Sequence, residues 1–189
     1  GALKIDRNGI WSYKVDNDSP ALQSLKAGET REVVYQVRSA DYTTREIKIT
    51  VTGTNDAPTV SSAVTLASGT EDADVTLTTA QLLANAADVD HGETAQLSVQ
   101  NLSADHGTIT DNHDGTFTFH PDANYNGQVR FTYDVQDPQG ASVSTSASMN
   151  LAAVADAATF SGTYTGDVTE DQHVVNPHLI FASGQILVS

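Results

Sequence analysis

Apolar and polar residues alternate with a period of two along most of this chain. "EVVYQVRS" places Val33, Tyr35 and Val37 on one face, and "EIKITVTG" does the same with Ile47, Ile49 and Val51. Ahead of them, "ALKID" and "IWSYKV" flank Arg-Asn-Gly. Its Asn-Gly pair supplies the positive φ that a tight hairpin needs. Further on come "AVTLAS", "DVTLT", "AQLSVQNLS", "GTITDN", "GTFTFHP", "VRFTYDVQD" and "SVSTSASMNLAAV". About seven short strands separated by turn residues predict an immunoglobulin-like sandwich. One stretch breaks the alternation. In "TAQLLANAADVD", Leu82 and Leu83 predict a single helical turn that runs into acids.

The pattern also repeats. Asp56 and Asp156 stand 100 residues apart (156 − 56), and Thr59-Val60-Ser61 is echoed by Thr159-Phe160-Ser161. Glu71-Asp72 returns as Glu170-Asp171, 99 residues on (170 − 71). "GALKIDRNGIWSY" parallels "GTITDNHDGTFTF", and "GETREVVYQVRSAD" parallels "GQVRFTYDVQD". The expected frame is therefore a closing half-module at 1–56, a whole module at 57–156, and the opening strands of a third at 157–189. A half sandwich exposes its inner face and its sheet edges, so it should not be stable alone. The two incomplete ends are expected to pair head to tail between copies, a contact that builds open chains.

Charge narrows the chemistry. The 24 acidic residues outnumber the 9 basic ones and leave a net charge of −15. Nucleic acid and anionic membrane surfaces need basic patches, so both are poor partners and no nucleic acid is expected. Carboxylates in excess suit hard cations, calcium above all. The chain has no cysteine, which excludes a disulfide framework and a thiolate metal site. No apolar run is long enough to span a membrane, so no membrane insertion is expected. The chain is expected to be an internal stretch of something longer.

The acids recur at the module junctions, and calcium takes six to eight oxygen ligands that several loops can supply. For the first junction the candidates are Asn55 and Asp56 in the linker, Glu71, the pair Asp88 and Asp90 in "DVDHG", and Asp41 from a loop of the first module. An extended backbone would set Asp88 and Asp90 on one side. The second junction offers Asp137, Asp156 and Glu170. The bland alternative is that Asn-Asp and Asp-Gly pairs are turn residues, which is the preferred reading of "DNHDGT". The six histidines form no H-E-x-x-H pattern, and there is no G-x-S-x-G elbow or phosphate loop, so no enzyme is expected. Trp11 is the one tryptophan. It is read as core, and only an exposed Trp11 beside polar groups would favour a sugar-binding face.

Three stretches carry a family resemblance. "DRNGIWSYKVDN…LKAGET…ITVTGTNDAP" resembles the closing half of a VCBS repeat. "EDADVTLTTAQLLANAADVDHGE…HGTITDNHDGTFTFHPDANYNGQVRFTYDVQDPQGA" resembles the bacterial cadherin-like, or tandem-95, repeat. "GTYTGDVTEDQHVV…LIFASGQILVS" resembles the start of another VCBS repeat. The resemblance implies an all-β chain of tandem immunoglobulin/cadherin-like Greek-key sandwiches, incomplete at both ends. It also implies an extracellular, calcium-stiffened extender at the bacterial cell surface, within a large RTX-type adhesin serving attachment or biofilm formation. Its partners would be the neighbouring modules of the same array. The alternative is a carbohydrate- or host-protein-binding module. The family's linker and D-x-D acids map onto Asn55, Asp56, Glu71, Asp88 and Asp90. "VADA" lacks the Asn of "TNDA", a departure that weakens the second junction.

Overall fold

Two hairpins of the predicted kind open the chain in the computed structural model, which describes residues 1–156 and the backbone of 160–162 and 186–188. Strands β1 (Ala2–Ile5) and β2 (Trp11–Lys14) pair antiparallel, Leu3 facing Tyr13 and Ile5 facing Trp11. Gly9 at φ +81° makes the turn, and the Asp6 carboxylate accepts the amides of Asn8 and Ile10, both at 2.9 Å. A four-residue helix, α1 (Pro20–Gln23), leads to β3 (Thr30–Arg38) and β4 (Thr44–Thr52), an antiparallel pair with Tyr35 opposite Ile47. The two hairpins touch through an edge-on contact of Tyr13 and Tyr35, 6.1 Å between ring centres.

The next stretch forms a complete sandwich. Its short leading strands are β5 (Thr59–Val60), β6 (Val64–Thr65), β7 (Gly69–Thr70), β8 (Val75–Thr78) and β9 (Ala86–Ala87). The longer ones are β10 (Ser98–Ala104), β11 (Gly107–Asp111), β12 (Thr116–Pro121), β13 (Gly127–Gln136) and β14 (Ser142–Ala152). One sheet runs β10-β13-β14-β6, with β7 also on β14, and the other runs β11-β12-β8. Strands β6 and β7 pair with β14 in parallel, whereas β5 pairs antiparallel with β9. Side chains of period two fill the space between the sheets: Val129, Phe131, Tyr133 and Val135 from β13, Met149 and Leu151 from β14, Phe119 from β12 and Leu77 from β8. The Phe119 and Phe131 rings meet edge-on at 5.0 Å. Burying each such side chain contributes about 1.5–3 kcal/mol.

The expected helical turn is α2 (Thr79–Leu82), which seats Leu82 in the core at 1 % exposure. Thr78 and Gln81 close a capping box at its start, with the Gln81 amide donating to Thr78 Oγ1 and the Thr78 amide to Gln81 Oε1. The Tyr133 hydroxyl, buried beside it, donates to the Leu82 carbonyl at 2.7 Å.

The chain divides into two units, residues 1–153 and 154–189. In the second, β15 (Phe160–Gly162) pairs antiparallel with β16 (Ile186–Val188).

Candidate metal centre at the first junction

A single set of loops brings the junction acids together. At the end of β13, Asp137 turns its carboxylate back to accept the amides of Gln139 (2.9 Å) and Ala141 (2.8 Å). Gly140, at φ +97°, lets the chain reverse there into β14. After β9 the D-x-D pair folds into a tight turn, with the Asp90 amide donating to Asp88 Oδ1 at 2.9 Å. The extended backbone expected for this pair is therefore replaced by a side-chain-capped turn, and Val89 is pushed out to solvent. Thr94 braces the turn: its hydroxyl accepts the Asp88 amide and donates to the Asp88 carbonyl. The chain then enters a single 3-10 turn (Thr94–Gln96) that sets Glu93 at its head.

The linker completes the set. Asn55 Nδ2 donates to Asp137 Oδ2 at 2.7 Å, and the Asp56 amide donates to Asp90 Oδ2 at 3.0 Å. Upstream, Gly53 exchanges backbone hydrogen bonds with Gly28 and Glu29. A side chain at Gly53 would meet the Leu25 carbonyl oxygen at 2.1 Å, so only glycine lets the linker lie this close. The 1–56 segment also reaches the D-x-D loop directly, where the His91 amide donates to the Ser24 carbonyl at 3.0 Å.

The electrostatics call for a cation. Asp90 is 2 % exposed, Glu93 1 % and Asp137 4 %. Carboxylate oxygens of Asp88, Glu93 and Asp137 lie within 4.8 Å of one another. No lysine, arginine or histidine forms a salt bridge with them among the described residues. Burial foremost, then the charges of Asp90, Asp137 and Asp56, pushes the Asp88 carboxyl above its ordinary range, against the opposing hydrogen bond from the Asp90 amide. Among the described residues, four buried oxygens lack any hydrogen-bond donor: Asn55 Oδ1, Asp88 Oδ2, Asp90 Oδ1 and Glu93 Oε2. All four belong to this one cluster. Buried carboxylates without a counter-charge are costly, and a hard divalent ion with oxygen ligands removes that cost. The donor set, all oxygen and rich in carboxylate, fits calcium.

Several sequence-predicted residues stand elsewhere. Asp41 lies at the tip of the β3–β4 hairpin, exposed, where Ser39 and Thr43 bond to it and hold its carboxyl below the ordinary range. Thr30 and Thr52 close the linker end of that hairpin and Arg38 and Thr44 the tip, so the length of β3 separates Asp41 from the cluster. Glu71 was expected at the first junction, but β7 runs parallel to β14 beside Leu151 and Ala152. That pairing carries Glu71 to the opposite end of the sandwich, where its amide donates to the Ala152 carbonyl and Asn126 donates to its carboxylate. Asp137, assigned from sequence to the second junction, lies instead with Asn55, Asp56, Asp88 and Asp90. Asp156 is exposed and belongs to the second unit, and Glu170 lies outside the described residues. Trp11 was read as core; it is 49 % exposed, and its cross-strand partner is the apolar Ile5. Sequence reasoning missed Glu93. The signal was present in "DVDHGE", three residues past the second aspartate.

Residues 54–152 match the family model of the cadherin-like domain. No curated protein matches the chain. Solved structures similar to it include protocadherin gamma B2 extracellular cadherin domains 3–6, at 13 % identity over 84 % of this chain and 38 % of that one, with a TM-score of 0.47. Mouse clustered PcdhgC3 EC1–3 is similar at 12 % identity over 88 % and 53 %, TM-score 0.44. An endo-fucoidan hydrolase of glycoside hydrolase family 107 is similar at 17 % identity over 99 % and 32 %, TM-score 0.39. The chain spans between about a third and a half of the length of these three.

Proposed function

The chain belongs to the cadherin-like domain family, and on that premise we propose that it is a non-catalytic, calcium-stiffened extender repeat of a large secreted bacterial surface adhesin. A cadherin-like domain is an adhesion-type extracellular repeat, and no helix among the described residues is long and apolar enough to cross a membrane. The four donorless buried oxygens at one junction carry the calcium reading. Asp88, Asp90, Glu93 and Asp137 would hold the ion from the sandwich, and Asn55 from the linker. An ion there neutralises carboxylates that otherwise repel, and it ties the linker to the sandwich. Free of metal, the linker is held by two hydrogen bonds to like-charged carboxylates. With metal, the junction stiffens, and a row of such modules becomes a spacer that carries another domain away from the cell in attachment or biofilm formation.

No catalytic step is proposed for these acids. Asp90 and Glu93 are sealed from solvent, which keeps a substrate away from them.

The test is a thermal melt paired with solution scattering, first in chelator and then in millimolar calcium. At ~1 mM calcium and a ~0.1 mM affinity typical of extracellular modules, the expected gain is about 1.4 kcal/mol. The particle should also stiffen. Asp88→Ala with Asp90→Ala should abolish both responses. An unchanged melt and an unchanged scattering curve in the parent protein would overturn the calcium reading.

A further inference from the structure

Each carboxylate of the junction cluster has at least one oxygen taken by a donor of the protein. Asp88 Oδ1 accepts the Asp90 amide, and Asp90 Oδ2 accepts the Asp56 amide. Asp137 is engaged at both oxygens, Oδ1 by the amides of Gln139 and Ala141 and Oδ2 by the Asn55 side chain. Glu93 Oε1 accepts from Gln139 Nε2 at 2.7 Å. What remains without a donor is a single oxygen from each of Asn55, Asp88, Asp90 and Glu93.

Glu93 differs from the three aspartates in what engages it. Backbone amides, which the fold fixes, hold an oxygen of Asp88, Asp90 and Asp137. The engaged oxygen of Glu93 is held by a side chain, from a residue 46 positions further on. That residue, Gln139, stands in the turn between β13 and β14, and the turn closes without its side chain. The Asp137 amide donates to the Ala141 carbonyl at 3.0 Å, and the Gly140 amide donates to the Asp137 carbonyl at 3.3 Å. Gln139 is an exposed residue, yet its side chain reaches a carboxylate that is 1 % exposed.

From this arrangement we infer that Gln139 holds Glu93 to a single ligand oxygen and thereby sets how far the junction prefers calcium to magnesium. This role rests on the junction reading proposed above, and it belongs to a residue that is not itself a ligand. Calcium takes six to eight oxygens and accepts a carboxylate through both of its oxygens. Magnesium is smaller, demands an octahedron and keeps several of its waters. A set of one-oxygen ligands suits either ion, whereas a two-oxygen carboxylate suits only the larger. Gln139 is thus a positioning residue, acting through Glu93. Without its donor, Oε1 is released to join Oε2 on calcium. The aspartates gain nothing from that change, because their engaged oxygens stay on backbone amides.

Calorimetric titration of the full chain with calcium chloride and, separately, with magnesium chloride tests this. The parent is compared with Gln139→Met, which keeps the length of the side chain and removes the donor. The ratio of the two affinities should move toward calcium by about tenfold in the variant, the size of effect that outer partners of metal ligands have. A role in folding alone would change both affinities by the same factor and leave the ratio where it was. Infrared spectra of protein isotope-labelled at its glutamate carboxyls give a second readout, which the parent supplies by itself. On adding calcium, the labelled carboxylate stretch should take the position of a one-oxygen ligand in the parent and of a two-oxygen ligand in Gln139→Met. An unchanged or reversed affinity ratio, a parent that takes calcium and excludes magnesium, or a two-oxygen signature in the parent would each overturn the inference and leave the junction ion in place. A parent that binds neither ion would overturn the junction reading and the role of Gln139 with it.

Discussion

Residues 1–56 and residues 107–153 contain the same two hairpins in the same register, but one pair is closed into a core and the other is half open. The hairpins agree because register is a local property. Asn-Gly or Asp-Gly turns and two-residue alternation decide which residues face each other across a pair of strands. Burial is not local. Phe119 is sealed within a cluster that includes Leu77 and Leu82, more than thirty residues earlier, and Phe131 of the facing sheet, whose ring meets it edge-on. Tyr13 has the Tyr35 ring at its edge, and it is only partly buried. Matching strands therefore do not make matching stability.

The sharpest break of this comparison is a pair of truncations. Phe119→Ala empties a fully buried site and should cost ~3–5 kcal/mol in urea unfolding. Tyr13→Ala, measured in dilute protein, should cost only about 1 kcal/mol, the worth of an aromatic edge contact. Equal losses would mean that both faces are closed. Next in size is the junction. Asp90→Asn removes one charge from the buried carboxylates, so the metal-free protein should melt higher than the parent, yet the calcium gain of about 1.4 kcal/mol should vanish. A parent-like calcium gain in this variant would take Asp90 out of the ligand set. A third contrast lies in the helix caps. Thr78→Ala breaks a capping box and should cost about 1 kcal/mol, whereas Ser19→Ala should change stability by under about 0.5 kcal/mol, because Ser19 makes no side-chain bond to its helix.

The smallest effect is a titration. The Ser144 hydroxyl first, then the Asn101 amide, holds the Asp134 carboxyl below its ordinary range in the complete module. Ser39 lowers Asp41 likewise in the half-module. A lowered carboxyl contributes stability that is present above its ordinary value and is lost as pH falls through its folded value. Ser144→Ala should move the Asp134 midpoint upward in an NMR titration and leave Asp41 where it was. A shift at both sites would mean that the effect is not a local hydrogen bond.

The strands, the single helical turn and the D-x-D acids were legible because each rests on short-range chemistry. Alternation marks the strands, and Leu82 with Leu83 breaks it at the helical turn. The grouping of the acids was not legible to the same degree. Asp137 reaches Asn55 because the end of β13 and the linker meet at one end of the sandwich, across 82 residues of sequence. Glu71 goes to the other end because β7 runs parallel to β14, and nothing in "ASGTEDAD" announces a parallel partner. Trp11 has the alternation of a core residue. Its exposure depends on what covers its strand, which alternation does not report.

The parallel pairing of β6 and β7 with β14 has a mechanical consequence. If the module is stretched by its two chain ends, β6 and β7 are drawn one way and β14 the other. Because the strands are parallel, the Leu66–Ser148 and Glu71–Ala152 hydrogen bonds are loaded in shear together and do not open one after another like a zipper. Forced unfolding follows the rate of barrier crossing and not the equilibrium stability. A module fastened in this way should resist tension beyond what its thermal melt would suggest.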